Sequence, residues 1–273
     1  AMGKRTGTWS FYFPKSGKVE HYANYKNDLK VGLWTYYYAN EQVLKTINFS
    51  DNVRNGDYRV FFENGSKSKT GQFKNDEEDG HWIEWYQNGK VMTDGNFSEG
   101  DMHGQWEGFY RSGVKKYATQ YKNDWKDGSF VQYYPNAKKG IEGNYKKGCK
   151  VGLWTNWHDK GAAIRNQGHY KLSKKSKIIR AGALGSMRKT NSDTLSIKDG
   201  KWLTYFDGQV GALNLVTPYK NGKIHGWMIQ YYSSGGVKSK TKFSKGIKNG
   251  PMKVYNKKGK VIKSLKYKNN QVK

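Results

Sequence analysis

Cysteine, proline and aliphatic side chains are all scarce in this chain, and each scarcity closes off a class of protein. The single cysteine, Cys149, excludes an internal disulfide framework and any cysteine-rich zinc site. Hydrophobic residues make up 35% of the 273, and 33 glycines stand against four prolines. An ordinary globular domain carries roughly 45–50% apolar residues, so one deep core is not expected here. Burial between successive thin units is. No run approaches the ~18 consecutive apolar residues of a membrane span, so no transmembrane segment is expected. Acids are missing altogether from Gly208 to Lys273, a stretch with fifteen lysines.

What the chain has instead is aromatic residues, at 15%, and positive charge, a formal +27 from 49 basic and 22 acidic residues. The charge predicts attraction to anionic partners and says nothing about fold. The aromatics repeat. A glycine recurs at Gly7, Gly32, Gly56, Gly80, Gly104, Gly128, Gly152, Gly200, Gly226 and Gly250, in steps near 24 with one step of 48. That double step implies an eleventh unit between Gly152 and Gly200 whose signature has decayed. Two residues after the glycine stand Trp9, Trp34, Tyr58, Trp82, Trp106, Phe130, Trp154, Trp202, Met228 and Met252. Five residues after it comes a second aromatic, such as Tyr37, Trp85 or Tyr133, followed by a turn such as Asn64-Gly65 or Asn88-Gly89. A polar, β-branched stretch then ends in a third aromatic (Tyr25, Phe49, Phe73, Phe97, Tyr121, Tyr145, Tyr170, Tyr219, Phe243, Tyr267), usually followed by Lys-Asn-Asp or Lys-Asn-Gly.

Short runs rich in Trp, Tyr, Thr and Val, separated by Asn-Gly or Ser-Gly, are hairpin signals. No segment sustains the three-and-four spacing of a helix. The chain therefore reads as all-β, an elongated meander of consecutive β-hairpin repeats forming an open sheet. The Lys-Asn-Asp link is expected to be the longer connection of the two. Rings at fixed offsets would align from hairpin to hairpin, and well-placed pairs gain about 0.5–1.5 kcal/mol beyond the area they bury. Trp9, Trp34, Tyr58, Trp82, Trp106, Phe130, Trp154 and Trp202 are thus expected to form a structural ladder. The repeat glycines are expected to supply positive φ, or close approach of backbone to an indole. Residues 1–3 read as a cloning remnant, 4–170 and 200–273 as repeats, and 171–199 as a degenerate repeat or basic insert.

The pattern G-x-W-x-x-[WY]-[YFH]-x-[NS]-G followed by [YF]-K-N-[DG]-x-x-x-G resembles MORN repeats, and more narrowly the bacterial variant class of YwqK-type antitoxins. The resemblance runs from Gly7 to about Asn269. It implies a hairpin-repeat sheet serving as a scaffold or as a protein- or lipid-binding surface. Met228 and Met252, and the stretch Lys171 to Asp199, depart from it. A weaker resemblance, to cell-wall-binding repeats of surface proteins, rests on phrases such as Gly32 to Gln42. The compartment stays open between bacterial cytoplasm and cell envelope or periplasm, since a removed signal peptide would leave no trace.

Charge is unevenly placed. From Asp51 to Gly104 eleven acids face six bases, densest at Asp76-Glu77-Glu78-Asp79. The basic candidates for an anionic partner are Lys174, Lys175, Lys177, Arg180, Arg188 and Lys189 in the middle, and Lys253, Lys257, Lys258, Lys260, Lys263 and Lys266 at the end. Edge lysines also guard an open sheet against aggregation. The partner expected is a protein, such as an acidic protein or a toxin, or an anionic surface such as phospholipid. Carbohydrate binding by solvent-facing Tyr36, Tyr38, Tyr134 and Tyr232 is the alternative. Nucleic acid ranks lower, because lysine far outnumbers the arginine favoured for phosphate and base contacts. Homo-oligomers by edge pairing are compatible with an open sheet.

Catalytic signatures are not found. The six histidines (His21, His81, His103, His158, His169, His225) form no H-x-x-x-H pair, and no calcium loop, nucleophile elbow or P-loop occurs. His103 and His225 are expected in turns. Ala181 to Met187 reads as the turn of the decayed hairpin, with Ile178-Ile179 and Leu195-Ile197 as its strands. Cys149 lacks a partnered histidine in its motif. Glu84 and Asp94 would resemble a glycosidase pair only if they met across strands. The expectation is no enzyme, no metal and no cofactor.

Overall fold

The computed structural model describes residues 3–159, 163–174 and 194–273. The fold is all-β. Among the described residues twenty-three strands, from Gly7–Tyr12 to Gln271–Val272, run as consecutive antiparallel hairpins in open sheet, and no helix occurs. By internal contacts the chain divides into two blocks, residues 1–125 and 126–273.

In the first block the strands Val53–Phe61, Lys67–Lys74 and Glu77–Trp85 show how one unit leads to the next. The first pair is joined over residues 62–66, where Phe62 N–H donates to Ser66 O at 2.8 Å and Gly65 N–H to Phe62 O at 2.8 Å. The second connection is shorter, against expectation. Asn75 and Asp76 alone make the turn, with φ of 52° and 67°, the two left-handed residues of a type I′ hairpin. The same geometry recurs at Asn27-Asp28 and Asn123-Asp124. The polar residues that looked like added length are already the opening of the next strand.

That strand then passes through the repeat glycine. All ten repeat glycines have positive φ, and the ladder skips there: Thr70 pairs with Ile83 and Gln72 with Asp79, so Gly71 faces three residues, 80–82. A bulge of this kind kinks the strand and re-aims a side chain. Here the side chain is Trp82, thrown flat over Gly71. A Cβ built on Gly71 would lie 2.1 Å from Cδ2 of Trp82. Gly95 under Trp106 repeats the arrangement in the first block, and Gly143 under Trp154 and Gly168 under Trp202 repeat it in the second.

The step of 48 separates neighbours. The strands Ile164–Lys174 and Thr194–Tyr205 pair directly, from Asn166 with Thr204 to Lys174 with Thr194, and Trp202 lies over Gly168 as its counterparts do over theirs. The decayed unit expected in this interval would fall on residues 175–193, outside the described residues. Leu195 and Ile197 fall on the second of these strands. Ile178, Ile179 and the glycine-rich stretch 181–187 lie outside the described residues.

Candidate functional site

One face of the sheet is built from rings. Trp34, Trp82, Trp106, Phe130, Trp154 and Trp202 are buried, Tyr58 is half-buried, and Trp9 is 43% exposed. Trp9 lies on the first strand, so no earlier hairpin among the described residues seats it. Between the signature rings stand the terminal aromatics, edge to face. In the first block Phe73, Trp82, Phe97 and Trp106 follow one another at centroid distances of 5.3, 5.9 and 5.0 Å. In the second, Tyr145, Trp154, Tyr170 and Trp202 follow at 5.0, 6.3 and 5.1 Å. Indole N–H groups are satisfied by backbone: Trp34 donates to Asn24 O at 3.1 Å, Trp106 to Asn96 O at 3.0 Å and Trp154 to Asn144 O at 3.2 Å.

Tyrosines proposed for carbohydrate stacking are engaged elsewhere. The hydroxyl of Tyr38 donates to Phe61 O, that of Tyr134 to Trp157 O and that of Tyr232 to Tyr255 O, at 2.7 to 2.9 Å. Each tie reaches the next hairpin. Tyr36 is half-buried beside Trp34 and His21, and its burial pushes its phenol pKa up.

Lysines at the C-terminal end do not share a face. Side chains alternate along a strand, so Lys253, opposite Ser264, and Lys266, opposite Pro251, lie on one face. Lys263, opposite Val254, lies on the other with the rings. Lys257, Lys258 and Lys260 belong to the turn region, where the N–H groups of Lys258 and Lys260 both donate to Asn256 Oδ1 at 3.0 Å. All six are exposed. Lys174 closes a strand. Lys175, Lys177, Arg180, Arg188 and Lys189 lie outside the described residues.

Acidic residues of the first block are largely committed locally. Lys69 reaches both Glu78 at 3.4 Å and Glu84 at 3.2 Å, and His81 meets Asp94 at 2.6 Å. Glu84 is opposite Thr93, whereas Asp94 is opposite Ile83, which puts the two carboxylates on opposite faces. They do not form a glycosidase-like pair. The N–H and guanidinium of Arg54 hold Asp76 below the usual carboxylate range, and those of Arg5 do the same for Asp28. His103 sits within the strand Asp101–Phe109 rather than in a turn. His225 lies between the strands Lys223–Ile224 and Gly226–Tyr231. The Cys149 thiol donates to Thr194 O at 3.3 Å. Among the described residues no group of three or more His, Cys, Asp or Glu could hold a metal ion, and no helix is long and apolar enough to cross a membrane.

A row of basic side chains lying over the rings escaped the sequence reading. It occupies the position two residues before the repeat glycine. In the second block Lys126 stands 5.0 Å from the Phe130 centroid, Lys150 4.1 Å from that of Trp154 and Lys198 4.2 Å from that of Trp202. Burial lowers the pKa of Lys126, with the charge of Lys150 adding to the effect, and burial lowers that of Lys150. The signal was present as a basic residue at fixed offset, but without the bulge its side chain could not be placed over a ring.

Bulged hairpins locked by a tryptophan over glycine define a class of β-hairpin repeat protein. The MORN repeat variant matches four tandem units of the first block, residues 30–51, 54–75, 78–99 and 102–123. Repeats of this kind are in general scaffolds that bind proteins or membranes. No curated protein matches the chain. Among solved structures, the TcdB2-TccC3 assembly matches 97% of this chain with 16% of its own, at 11% identity and a TM-score of 0.21. The Photorhabdus luminescens Tc holotoxin pore does so over the same shares at 10% identity and 0.18. The chain thus spans about a sixth of those chains, and at these scores the likeness carries no argument.

Proposed function

We propose that this chain is a non-enzymatic repeat scaffold that binds a protein partner of acidic character through the lysines of its second block. One observation supports this above the rest: fifteen lysines and no acid from Gly208 onward. Carboxylates elsewhere meet basic partners, as Asp76 meets Arg54 and Glu107 meets Lys115. Lys253, Lys257, Lys258, Lys260, Lys263 and Lys266 have no such partner among the described residues. The spread of these six over both faces and a turn fits a partner that wraps the end of the sheet better than one that lies flat on it. For the same reason an anionic phospholipid surface is the second reading. The resemblance to antitoxin-type repeats adds a protein, a toxin, as one form of the partner.

Charge-driven binding fades as salt shortens the Debye length from about 10 Å at 0.1 M to about 3 Å at 1 M. Sugar stacking on tyrosines does not. The test is retention on immobilised polyglutamate at 0.05 and 1 M salt. The variant changes Lys257, Lys258, Lys260, Lys263 and Lys266 to glutamate. Salt-sensitive retention that the variant loses supports the reading. Retention indifferent to salt, or unchanged in the variant, overturns it.

A further inference from the structure

Cations above the rings are held in more than one way: Lys30 of the first block, 4.9 Å from the Trp34 centroid, meets Asn52 rather than an aspartate at the following turn. In the same block, Arg5 stacks 4.0 Å from the Tyr25 centroid and Arg54 4.1 Å from that of Phe73. Each is neutralised by an aspartate from the turn that follows one repeat later, Asp28 at 3.0 Å and Asp76 at 2.9 Å. In the second block that turn position carries Gly148 and Gly222, whose N–H groups donate to the carbonyls of Lys126 at 2.8 Å and Lys198 at 3.0 Å. The carboxylate is gone and only the backbone bond is kept. Asp127 and Asp199, the next residues along the strands, point to the opposite face, where they pair with Lys146 at 3.3 Å and Lys171 at 2.9 Å. Lys126, Lys150 and Lys198 therefore have no acidic partner among the described residues. All three are half-buried; Ile224 interrupts the row at the next repeat, and Lys248, 5.1 Å from the Tyr267 centroid, stands beyond the gap.

The three ammonium groups rise from successive hairpins, two strands apart, so the row has a spacing of about 9.6 Å along the sheet. A polyproline II segment brings every third side chain to the same side after about 9.3 Å. We propose that Lys126, Lys150 and Lys198 form a recognition row for an acidic segment of a partner protein in polyproline II conformation, carrying a carboxylate at every third residue. The rings hold the lysine stems in place beforehand, which cuts the ordering cost of binding. They also keep water from the underside of each ammonium, where a carboxylate gains more than it would in bulk solvent. The lowered pKa values of Lys126 and Lys150 reflect the unmatched burial that such a ligand would relieve. The acidic nature of the partner rests on the function proposed above; the location and the spacing do not.

The probe is a synthetic peptide of Glu-Pro-Pro repeats, set against a peptide of the same composition with its glutamates contiguous and against inorganic polyphosphate. The variant is Lys126→Met/Lys150→Met/Lys198→Met, which keeps the stems on the rings, with Lys150→Met alone as the milder form should the triple variant not fold. Fluorescence anisotropy at 0.05 M salt is expected to show the spaced peptide bound, its affinity reduced roughly tenfold or more in the triple variant and several-fold in the single one. The five-lysine glutamate variant is expected to change it less. Equal affinity of wild-type and lysine-to-methionine proteins overturns the proposal; if the five-lysine variant then abolishes binding, the acidic-partner reading survives and only the site moves. Equal binding of the contiguous peptide overturns the spacing. Polyphosphate bound where the peptide is not overturns the peptide as ligand. Binding indifferent to both lysine sets overturns both readings.

Discussion

Gly95 lies beneath Trp106 so closely that a Cβ at this glycine would stand 2.1 Å from Cδ2 of the indole. No real Cβ makes such a contact, and the ring has no free direction in which to yield, being edge-on to Phe97 at 5.0 Å and bonded through its N–H to Asn96 O. Gly95→Ala is expected to destabilise the protein by about 3 kcal/mol, the upper range for overpacking a tight site. Gly236, which has nothing within 4 Å and no positive φ, is the control. Gly236→Ala is expected to stay within about 0.5 kcal/mol of the parent. Urea denaturation followed by tryptophan fluorescence separates the two, and equal midpoints would refute the seating of the indole.

Apart from Trp9 and Trp202, the residue eleven positions before a signature side chain sets its size. Ala23, Gly71 and Gly95 precede Trp34, Trp82 and Trp106, and Gly143 precedes Trp154. Where the seat is Ile47 the ring is Tyr58, and where it is Thr217 or Thr241 the side chain is Met228 or Met252. In these exchanged seats the two residues pair directly, as Ile47 with Tyr58 and Thr241 with Met252. Met252→Trp alone should therefore destabilise, and so should Thr241→Gly alone. Together they are expected to recover stability, with a coupling of at least about 1 kcal/mol in a double-mutant cycle. Strict additivity would count against the seat.

This rule also shows how much was legible beforehand. The period, the hairpins and the ring row follow from offsets that any alignment of the units displays. The seats were equally visible, since Gly71, Gly95 and Gly143 stand at a fixed distance from their tryptophans. Their meaning was not, because it depends on a bulge at Gly80 or Gly104 that brings residues eleven apart into contact. The same bulge decides that Lys150 covers a ring while Asp199 faces away. Lysine counts alone pointed to the C-terminal end; the missing aspartates opposite Lys126 and Lys198 needed the register of the turns. The link through Asn75-Asp76 was misjudged as long because its second half is strand, although two adjacent residues tolerant of positive φ are a type I′ signal.

Tyrosine hydroxyls tie several turns to the next hairpin, and one such tie can be cut without disturbing the ring. Tyr134→Phe removes the bond to Trp157 O, made at 2.9 Å, and leaves that carbonyl short of a donor. The expected loss is about 1 kcal/mol, read as a shift in the urea midpoint with unchanged slope. A variant as stable as the parent would mean that water serves the carbonyl equally well.

His21 is expected to make the first block sensitive to mild acid. Its ring is stacked 4.2 Å from Phe11 and 4.9 Å from Tyr36, and its Nδ1 is buried without a hydrogen-bond partner. Burial lowers its pKa below the ordinary 6.5, an effect that Lys30 and Lys45 reinforce and Glu20 opposes from 4.0 Å. Glu20 is too distant to hydrogen-bond, so the loss of water around the ring outweighs it. A histidine whose folded pKa is depressed binds its proton more readily when unfolded. Its stabilising contribution is complete above pH 6.5 and is lost as pH falls from there through the folded value. The melting temperature is therefore expected to decline between pH 7 and pH 5. In His21→Phe, which keeps the stack and has no proton to gain, that part of the decline should vanish. An identical pH profile in the variant would show that His21 stays neutral, or is charged, to the same degree in both states.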